Sequence, residues 1–371
     1  MIRLEQVCKV FADGTEAVKD LSLEIAEGEF CVFLGPSGCG KTTSLKMINR
    51  LIPLTSGTIY IQGEDTRTRN VNQLRRDIGY AIQNIGLFPH LTVRQNIATV
   101  PRLLGWPKTR QKQRAMELLE VVGMDAATYV DRYPSELSGG QQQRVGVARC
   151  LGADPPILLM DEPFGAIDPI TRSKLQDEFL KIQEHLKKTI AFVTHDINEA
   201  IKMGDTIALM KSGELVQYAP PATLLSEPKT RFVRDFVGAD RVLKGLRLLR
   251  ARDVMIDPEL TLPLNMGVSA ARQALAASSE QWALALDTEG RFRGWIEAED
   301  LVDAPETLDD ALTPAVATAG PSTPINEVLS LMLASTTGSV PVLDDHDRLL
   351  GLVSFDTIRD VLAPPTDRGA L

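Results

Sequence analysis

Gly35-Pro36-Ser37-Gly38-Cys39-Gly40-Lys41-Thr42-Thr43 follows an apolar run, Phe30 to Leu34, and precedes a helical pattern, Thr42 to Leu51. The spacing is G-x-x-x-x-G-K-T, so strand, glycine-rich loop and helix stand in the order a phosphate cradle requires. Glycines let successive backbone N–H groups turn inward with no Cβ in the way, and the helix N-terminus adds the positive end of its dipole. In such a loop Lys41 reaches the β- and γ-phosphates, and the Thr42 hydroxyl completes the coordination of Mg²⁺. A glycine-rich turn could carry this spacing by chance. The flanking strand and helix argue instead for a nucleoside triphosphate site in an α/β domain.

Outward from that loop, Ile2–Val10 and Ala17–Ile25 alternate as strands do, with a turn at Asp13-Gly14. Phe11, just before the turn, is either a base-stacking aromatic or a core residue. Strands are also expected over Thr58–Gln62 and Ile78–Ile82, the latter ending in Gln83, and residues 92–122 carry a helical pattern broken at Pro101 and Gly105-Trp106-Pro107. Leu137-Ser138-Gly139-Gly140-Gln141 opens a helix to about Leu151; it reads either as a second anion cradle without a lysine or as an ordinary Ser138 cap with a flexible turn. Ile157–Glu162 is an apolar run closed by two carboxylates. After a phosphate loop, the first of these holds Mg²⁺ and the second orients an attacking water. Thr189–Thr194 is a further buried strand, and His195 at its carboxyl end lies on the edge where α/β sheets bind ligands.

With 371 residues, 44% of them hydrophobic, the chain has material for two or three domains. Its apolar runs fall short of the ~18 residues of a membrane span. Met1-Ile2-Arg3 opens straight into a strand pattern, so no leader is expected. Cys8, Cys31, Cys39 and Cys150 are scattered, which excludes a disulfide framework or zinc site as the organising feature. Residues 251–371 hold 7 Arg, no Lys and 20 Asp+Glu, a net −13, whereas the first 250 hold 33 basic and 29 acidic residues, a net +4. That break marks a domain boundary. No basic patch with interleaved aromatics favours nucleic acid.

The ordered set Gly35–Thr43, Gln83, Leu137–Gln141, Ile157–Glu162, Ala166–Asp168 and His195 resembles the ATPase subunit of ABC transporters over residues 1 to about 238. The resemblance implies a P-loop NTPase domain with a helical subdomain at about 88–152. It also implies roles. Phe11 stacks on adenine; Gly35, Pro36, Ser37, Gly38, Cys39, Gly40, Lys41, Thr42 and Thr43 cradle the phosphates of ATP. Thr42, Gln83 and Asp161 serve Mg²⁺, Glu162 the lytic water, and His195 the γ-phosphate. Leu137, Ser138, Gly139, Gly140, Gln141 and Asp168 act across a head-to-tail homodimer on the ATP of the facing copy. Ile167 departs from the family's usual leucine, apolar for apolar. Leu45–Arg50, Ile85–His90 and Asp161–Ala166 further resemble the ATPases of osmoprotectant importers for glycine betaine, carnitine, choline or proline betaine. Such subunits work with integral membrane permeases and an extracytoplasmic solute-binding protein, peripherally on the cytoplasmic face of the inner membrane. An importer of another small solute, such as an amino acid, and a soluble ABC ATPase are the alternatives; the latter expects coiled-coil insertions or tandem cassettes.

Residues 239–252 are expected to form a basic linker helix with Val242, Leu246 and Leu249 on one face. Beyond it lies a repeat: offset by 57 residues, Trp282–Glu297 overlies Ser339–Ser354, pairing Asp287 with Asp344, Arg291 with Arg348 and Gly294 with Gly351. The repeat resembles an α+β tandem of CBS modules over 253–363 (253–303 and 314–363), followed by a tail, 364–371, and implies a regulatory ligand. Adenosine-binding modules place a hydroxyl residue three positions before an aspartate; here the first unit has Glu297 and Asp300, the second Ser354 and Thr357. A different ligand, ionic strength and packing alone all stay open.

Overall fold

Five-residue runs with every side chain buried require cover on both faces of their sheet. Phe30–Leu34 (β3), Ile157–Asp161 (β7) and Thr189–Val193 (β8) are such runs. In the computed structural model, which describes residues 1–82, 86–165, 167–301, 307–315, 317–335 and 338–362, they form the centre of the first of two compact units, Met1–Ala239 and Asp240–Leu371.

The first unit contains β1 (Ile2–Val10), β2 (Glu16–Ile25), β4 (Ser56–Ile61), β5 (Glu64–Asp65), β6 (Ile78–Ala81), β9 (Thr206–Lys211) and β10 (Glu214–Ala219) besides the central three. The main sheet has the order β10-β9-β3-β8-β7-β6, with β10 antiparallel to β9 and the rest parallel. Register fixes the site: Asp161 pairs with Val193, and Phe33 with Val193 on the other side, so β3, β7 and β8 end together. A second, antiparallel sheet, β2-β1-β4-β5, buries alternate residues, among them Ile2, Leu4, Leu21, Ile25 and Ile59. These pack with Leu45, Met47 and Ile48 of the helix Lys41–Ile48 in one core. Each fully buried side chain of this size contributes about 1.5–3 kcal/mol.

Between β6 and β7 lie the helices Val93–Ile97, Thr99–Leu103, Lys108–Val121, Ala126–Tyr129 and Gly139–Leu151. Pro101 is tolerated inside Thr99–Leu103 because the first turn of a helix needs no N–H there.

The 57-residue repeat is structural. In the second unit β11 (Thr261–Pro263), the helix Val268–Ala277, β12 (Trp282–Leu286) and β13 (Phe292–Glu297) are matched, 57 residues on, by Ala319 bridging to Val342, the helix Ile325–Ala334, β14 (Ser339–Leu343) and β15 (Leu349–Ser354). Both hairpin turns are closed alike. Asp287 Oδ1 accepts from the Glu289 and Arg291 N–H groups, and Asp344 Oδ1 from those of His346 and Arg348. The two hairpins meet at an antiparallel bridge between Arg291 and Arg348, the position of a local two-fold axis.

Two expected boundaries are corrected. Residues 239–252 do not form one linker helix. A helix spans Arg241–Gly245, a 3₁₀ turn Leu246–Leu248, and a new helix starts at Ala251. Leu246 and Ala251 are buried with Val328, Met332 and Val353, while Val242 is 53% exposed; the apolar residues serve a core rather than a stripe. Nor are the modules sequential. Ile256 bridges to Leu352 on β15, and Thr313 to Trp295 on β13, so each sheet edge is closed by the segment that precedes the other module. An unpaired edge exposes backbone donors and acceptors, and this exchange covers both.

Candidate active site

Gly35 has φ +146° and Gly40 φ +106°; a Cβ on Gly35 would lie 2.2 Å from the Met210 carbonyl oxygen, and one on Gly40 2.4 Å from that of Ala17. Only glycine lets the loop pass so close to β9 and β2. Pro36, Ser37 and Gly38 are exposed, whereas Cys39 is buried. The buried Lys41 ammonium donates to the Gly35 carbonyl at 2.6 Å and the Pro36 carbonyl at 3.0 Å, and lies 3.7 Å from Cys39 Sγ. Thr43 is half-buried on the helix the loop opens.

Thr42 Oγ1 donates to Asp161 Oδ1 at 2.7 Å. Burial pushes the Asp161 carboxyl above its ordinary value, and the Thr42 hydrogen bond and Lys46 oppose that shift. A hydroxyl and a carboxylate in contact beside a phosphate cradle are hard oxygen donors, the set Mg²⁺ takes together with substrate phosphates and waters. The residues therefore fit the ion, whose third expected ligand, Gln83, lies outside the described residues.

Next to Asp161, Glu162 leaves β7 at φ +47° with its N–H bonded to the Val193 carbonyl. That left-handed step, unusual for a residue with a Cβ, costs on the order of 1 kcal/mol. It swings the carboxylate to 3.2 Å from His195 Nδ1. The imidazole is open, its side chain 62% exposed.

Ser138 caps the helix Gly139–Leu151: its Oγ accepts from the Gln141 N–H, while Gln141 Oε1 accepts from the Ser138 N–H. Gln141 Nε2 in turn donates to the Tyr129 hydroxyl at 3.0 Å. Added Cβ atoms on Gly139 and Gly140 would meet nothing within 4 Å, so their backbone faces open space. With Ser138, Gln141, Tyr129 and Asp168 they line an open cleft of about 570 Å³. Leu137 differs from expectation. It is 7% exposed, so its side chain packs inside the unit rather than lining the cleft. Asp168 caps the helix Pro169–Leu186 by accepting from the Thr171 N–H, which holds its carboxyl below the ordinary value. Phe11 is 39% exposed, with the Lys9 ammonium 5.0 Å from its ring centroid. Tyr129 is a residue that sequence reasoning missed: a lone tyrosine twelve positions before Gln141 carries no motif.

In the second unit, Ser354 and Thr357 cap each other, with Ser354 Oγ accepting from the Thr357 N–H and Thr357 Oγ1 accepting from the Ser354 N–H. In the first module the Asp300 carboxylate accepts from the Glu297 N–H. The positions that would hold a ribose are committed to their own turns.

A family model described as ABC transporter matches residues 18–165, and one described as CBS domain matches residues 308–364. The chain is 46% identical to the osmoprotectant import ATP-binding protein OsmV of Salmonella typhimurium, across 100% of this chain and 98% of that protein. It is 44% identical to the glycine betaine/carnitine/choline transport ATP-binding protein OpuCA of Bacillus subtilis, across 98% and 96%. Among solved structures it is similar to a dimeric bacterial ABC transporter cassette, MJ0796, with 37% identity and a TM-score of 0.55 over 59% of this chain and 98% of that one. The same cassette is also known as a dimer in a post-hydrolysis state bound to ADP and Pi, at 36% identity, a TM-score of 0.55, and the same coverage.

Proposed function

The chain belongs to the ABC transporter family, as an ATP-binding subunit of the osmoprotectant importers, and we propose that two copies hydrolyse ATP between them to drive quaternary-amine uptake through a membrane permease. The observation that carries this reading is the Glu162–His195 pair, 3.2 Å apart at the sheet edge that also bears the phosphate loop. Backbone N–H groups of Gly38 to Thr42 and the Lys41 ammonium bind the phosphates once Lys41 exchanges its carbonyl partners for them. Thr42, Asp161 and Gln83 would hold Mg²⁺, which would supply charge neutralisation at the phosphates. Glu162 orients the attacking water and accepts its proton; His195 steadies the γ-phosphate. Phe11 stacks on the base. Ser138, Gly139, Gly140 and Gln141 close over the ATP of the facing copy, and Asp168 meets that copy. A cover for the γ-phosphate is what the loop at Gly35 lacks, and the open cleft at Ser138–Gln141 is a cover without a phosphate loop. The dimeric form of the similar cassette supports joining the two.

The permease docks in the groove of about 310 Å³ lined by Arg76, Tyr80, Ile82, Phe88, Thr99 and Arg149, where Ile82 and Phe88 are exposed. Among the described residues no helix is long and apolar enough to cross a membrane. That fits a subunit peripheral to the cytoplasmic face, served by an extracytoplasmic solute-binding protein. The solute is a quaternary amine of the glycine betaine, carnitine and choline class named for the relatives; an amino-acid importer or a soluble ABC ATPase has no such support. The CBS unit modulates transport through a signal other than adenosine held in the ribose-binding manner.

Reconstitution in proteoliposomes with the permease and solute-binding protein encoded beside it tests the reading. ATP-dependent uptake of labelled glycine betaine, carnitine or choline, abolished by Glu162→Gln, is the expected result. Uptake confined to amino acids would overturn the solute assignment.

A further inference from the structure

Glu199 is buried in the first unit, yet no role above uses it. Two donors and one cation converge on its carboxylate. The Thr194 hydroxyl donates to Oε2 at 2.6 Å, Gln176 Nε2 donates to Oε1 at 3.0 Å, and Arg172 Nη1 lies 3.9 Å from Oε1. Thr194 Oγ1 also accepts from the Asp196 N–H at 3.0 Å, so the hydroxyl brackets His195 from both sides in the chain. Asp196 then caps the helix Ile197–Met203 that carries Glu199, closing a small ring around the His195 turn. On the other flank, Gln176 and Arg172 belong to the helix Pro169–Leu186, and Arg172 Nη2 donates to the Ile167 carbonyl just before Asp168. Lys202, one turn on from Glu199, straps the same two helices by donating to Ser173 and pairing with Asp177.

A buried carboxylate is a poor choice for stability, since an apolar side chain of like size is as good or better unless geometry is at stake. Here no apolar residue could accept from a hydroxyl and an amide at once and face a guanidinium. We infer that Glu199 is a positioning residue for His195, bracing the histidine's turn against the helix that Asp168 begins. The inference rests on the proposed role of His195 in hydrolysis. Without the carboxylate, Thr194 is free to rotate, the Asp196 N–H loses its fixed acceptor, and the imidazole leaves its place beside Glu162. The strand that feeds the phosphate loop lies beside Thr194, whose N–H donates to the Phe33 carbonyl, but that bond is between backbones and survives loss of the carboxylate, so the loop keeps its affinity for nucleotide.

The test uses the full-length chain with steady-state ATPase rates, equilibrium ATP binding and melting temperatures. Glu199→Ala is expected to lower kcat by about 10- to 100-fold, the cost of a displaced catalytic group, with the Kd for ATP within about twofold of the parent. Thr194→Val, which keeps the shape and removes the hydroxyl, reproduces the loss. The double variant is no slower than the worse single one, because both break one link. Glu199→Gln, able to accept from Thr194 through Oε1 while Gln176 turns its amide, recovers most of the rate. A kcat for Glu199→Ala within twofold of the parent, a loss that appears in the Kd for ATP, or losses that multiply in the double variant would each overturn the inference. Where Glu199→Ala does not fold, Thr194→Val decides alone: a kcat within twofold of the parent overturns the inference. Glu162→Gln in the same assay separates the two levels. If it turns over at the parental rate, the hydrolytic reading fails; if it is inactive while Thr194→Val is not impaired, only the role of Glu199 fails.

Discussion

Glu162 and His195 meet because a left-handed residue ends one strand and the next strand over ends at the same level. Replacing Glu162 with Gln keeps the side chain's shape and removes the proposed base. ATP hydrolysis should fall by about 10²- to 10⁴-fold, the span of general-base contributions, while ATP binding persists and dimers accumulate on gel filtration. A parental turnover would take Glu162 out of the chemistry. Glu199 carries a pH signature of its own. Burial raises its carboxyl above the ordinary 4.5, with Asp196 adding to the shift and Thr194, Arg172 and His195 opposing it. The sign follows from linkage: the folded state binds the proton more tightly than the unfolded state, so ionised Glu199 costs stability above the folded pKa. That cost disappears as pH falls through the folded pKa towards 4.5. Glu199→Gln should therefore melt higher than the parent at pH 7, with the gap narrowing on acidification; a gap that widens would contradict the assignment. The motif residues at Gly35–Thr43, Asp161, Glu162 and His195 were legible because each obeys a local rule of backbone or strand end. Glu199, Thr194 and Tyr129 were not, since nothing in their neighbours along the chain distinguishes them from ordinary helix and strand residues.

The start of the helix Gly139–Leu151 was legible, owing to a capping serine, two glycines and a glutamine at the third position. Removing the cap with Ser138→Ala should cost about 1 kcal/mol of stability, read as a lower melting temperature. ATPase activity should fall further than that loss explains, because the same hydroxyl faces the cleft of the candidate trans site. Equal proportional losses in both would return Ser138 to a purely capping role. Elements read as strands kept their places within one or two residues, as with β6 at Ile78–Ala81 against an expected Ile78–Ile82. The basic stretch at 239–252 was the failure. Its apolar residues fit a helical spacing, but Leu246 and Ala251 are drawn into a core built by residues some eighty to a hundred positions later, and the backbone breaks to deliver them. A spacing rule describes a continuous helix; it has no means of registering a core that pulls from two directions.

The two compact units divide between Ala239 and Asp240, and each holds its own buried clusters. Residues 1–239 should fold and bind ATP alone. A fragment beginning at Asp240 should melt cooperatively, whereas one beginning at Asp253, stripped of Leu246 and Ala251, should melt lower or not cooperatively by circular dichroism. Equal melting would mean that the leading segment contributes nothing to the second core. The amino-acid sequence by itself determined the architecture of this protein and where its candidate site residues fall: a phosphate loop between strand and helix, carboxylates and a histidine at strand ends, and a 57-residue duplication. Each of these is a requirement imposed on a short span of backbone, so a short span of sequence displays it. Folding settled what depends on distant neighbours. It placed Glu162 3.2 Å from His195, closed the ring of Glu199, Thr194 and Asp196, and exchanged the edge segments of the two tail modules. Those outcomes follow from strand order and from which buried groups find partners, and both are properties of the whole packed chain.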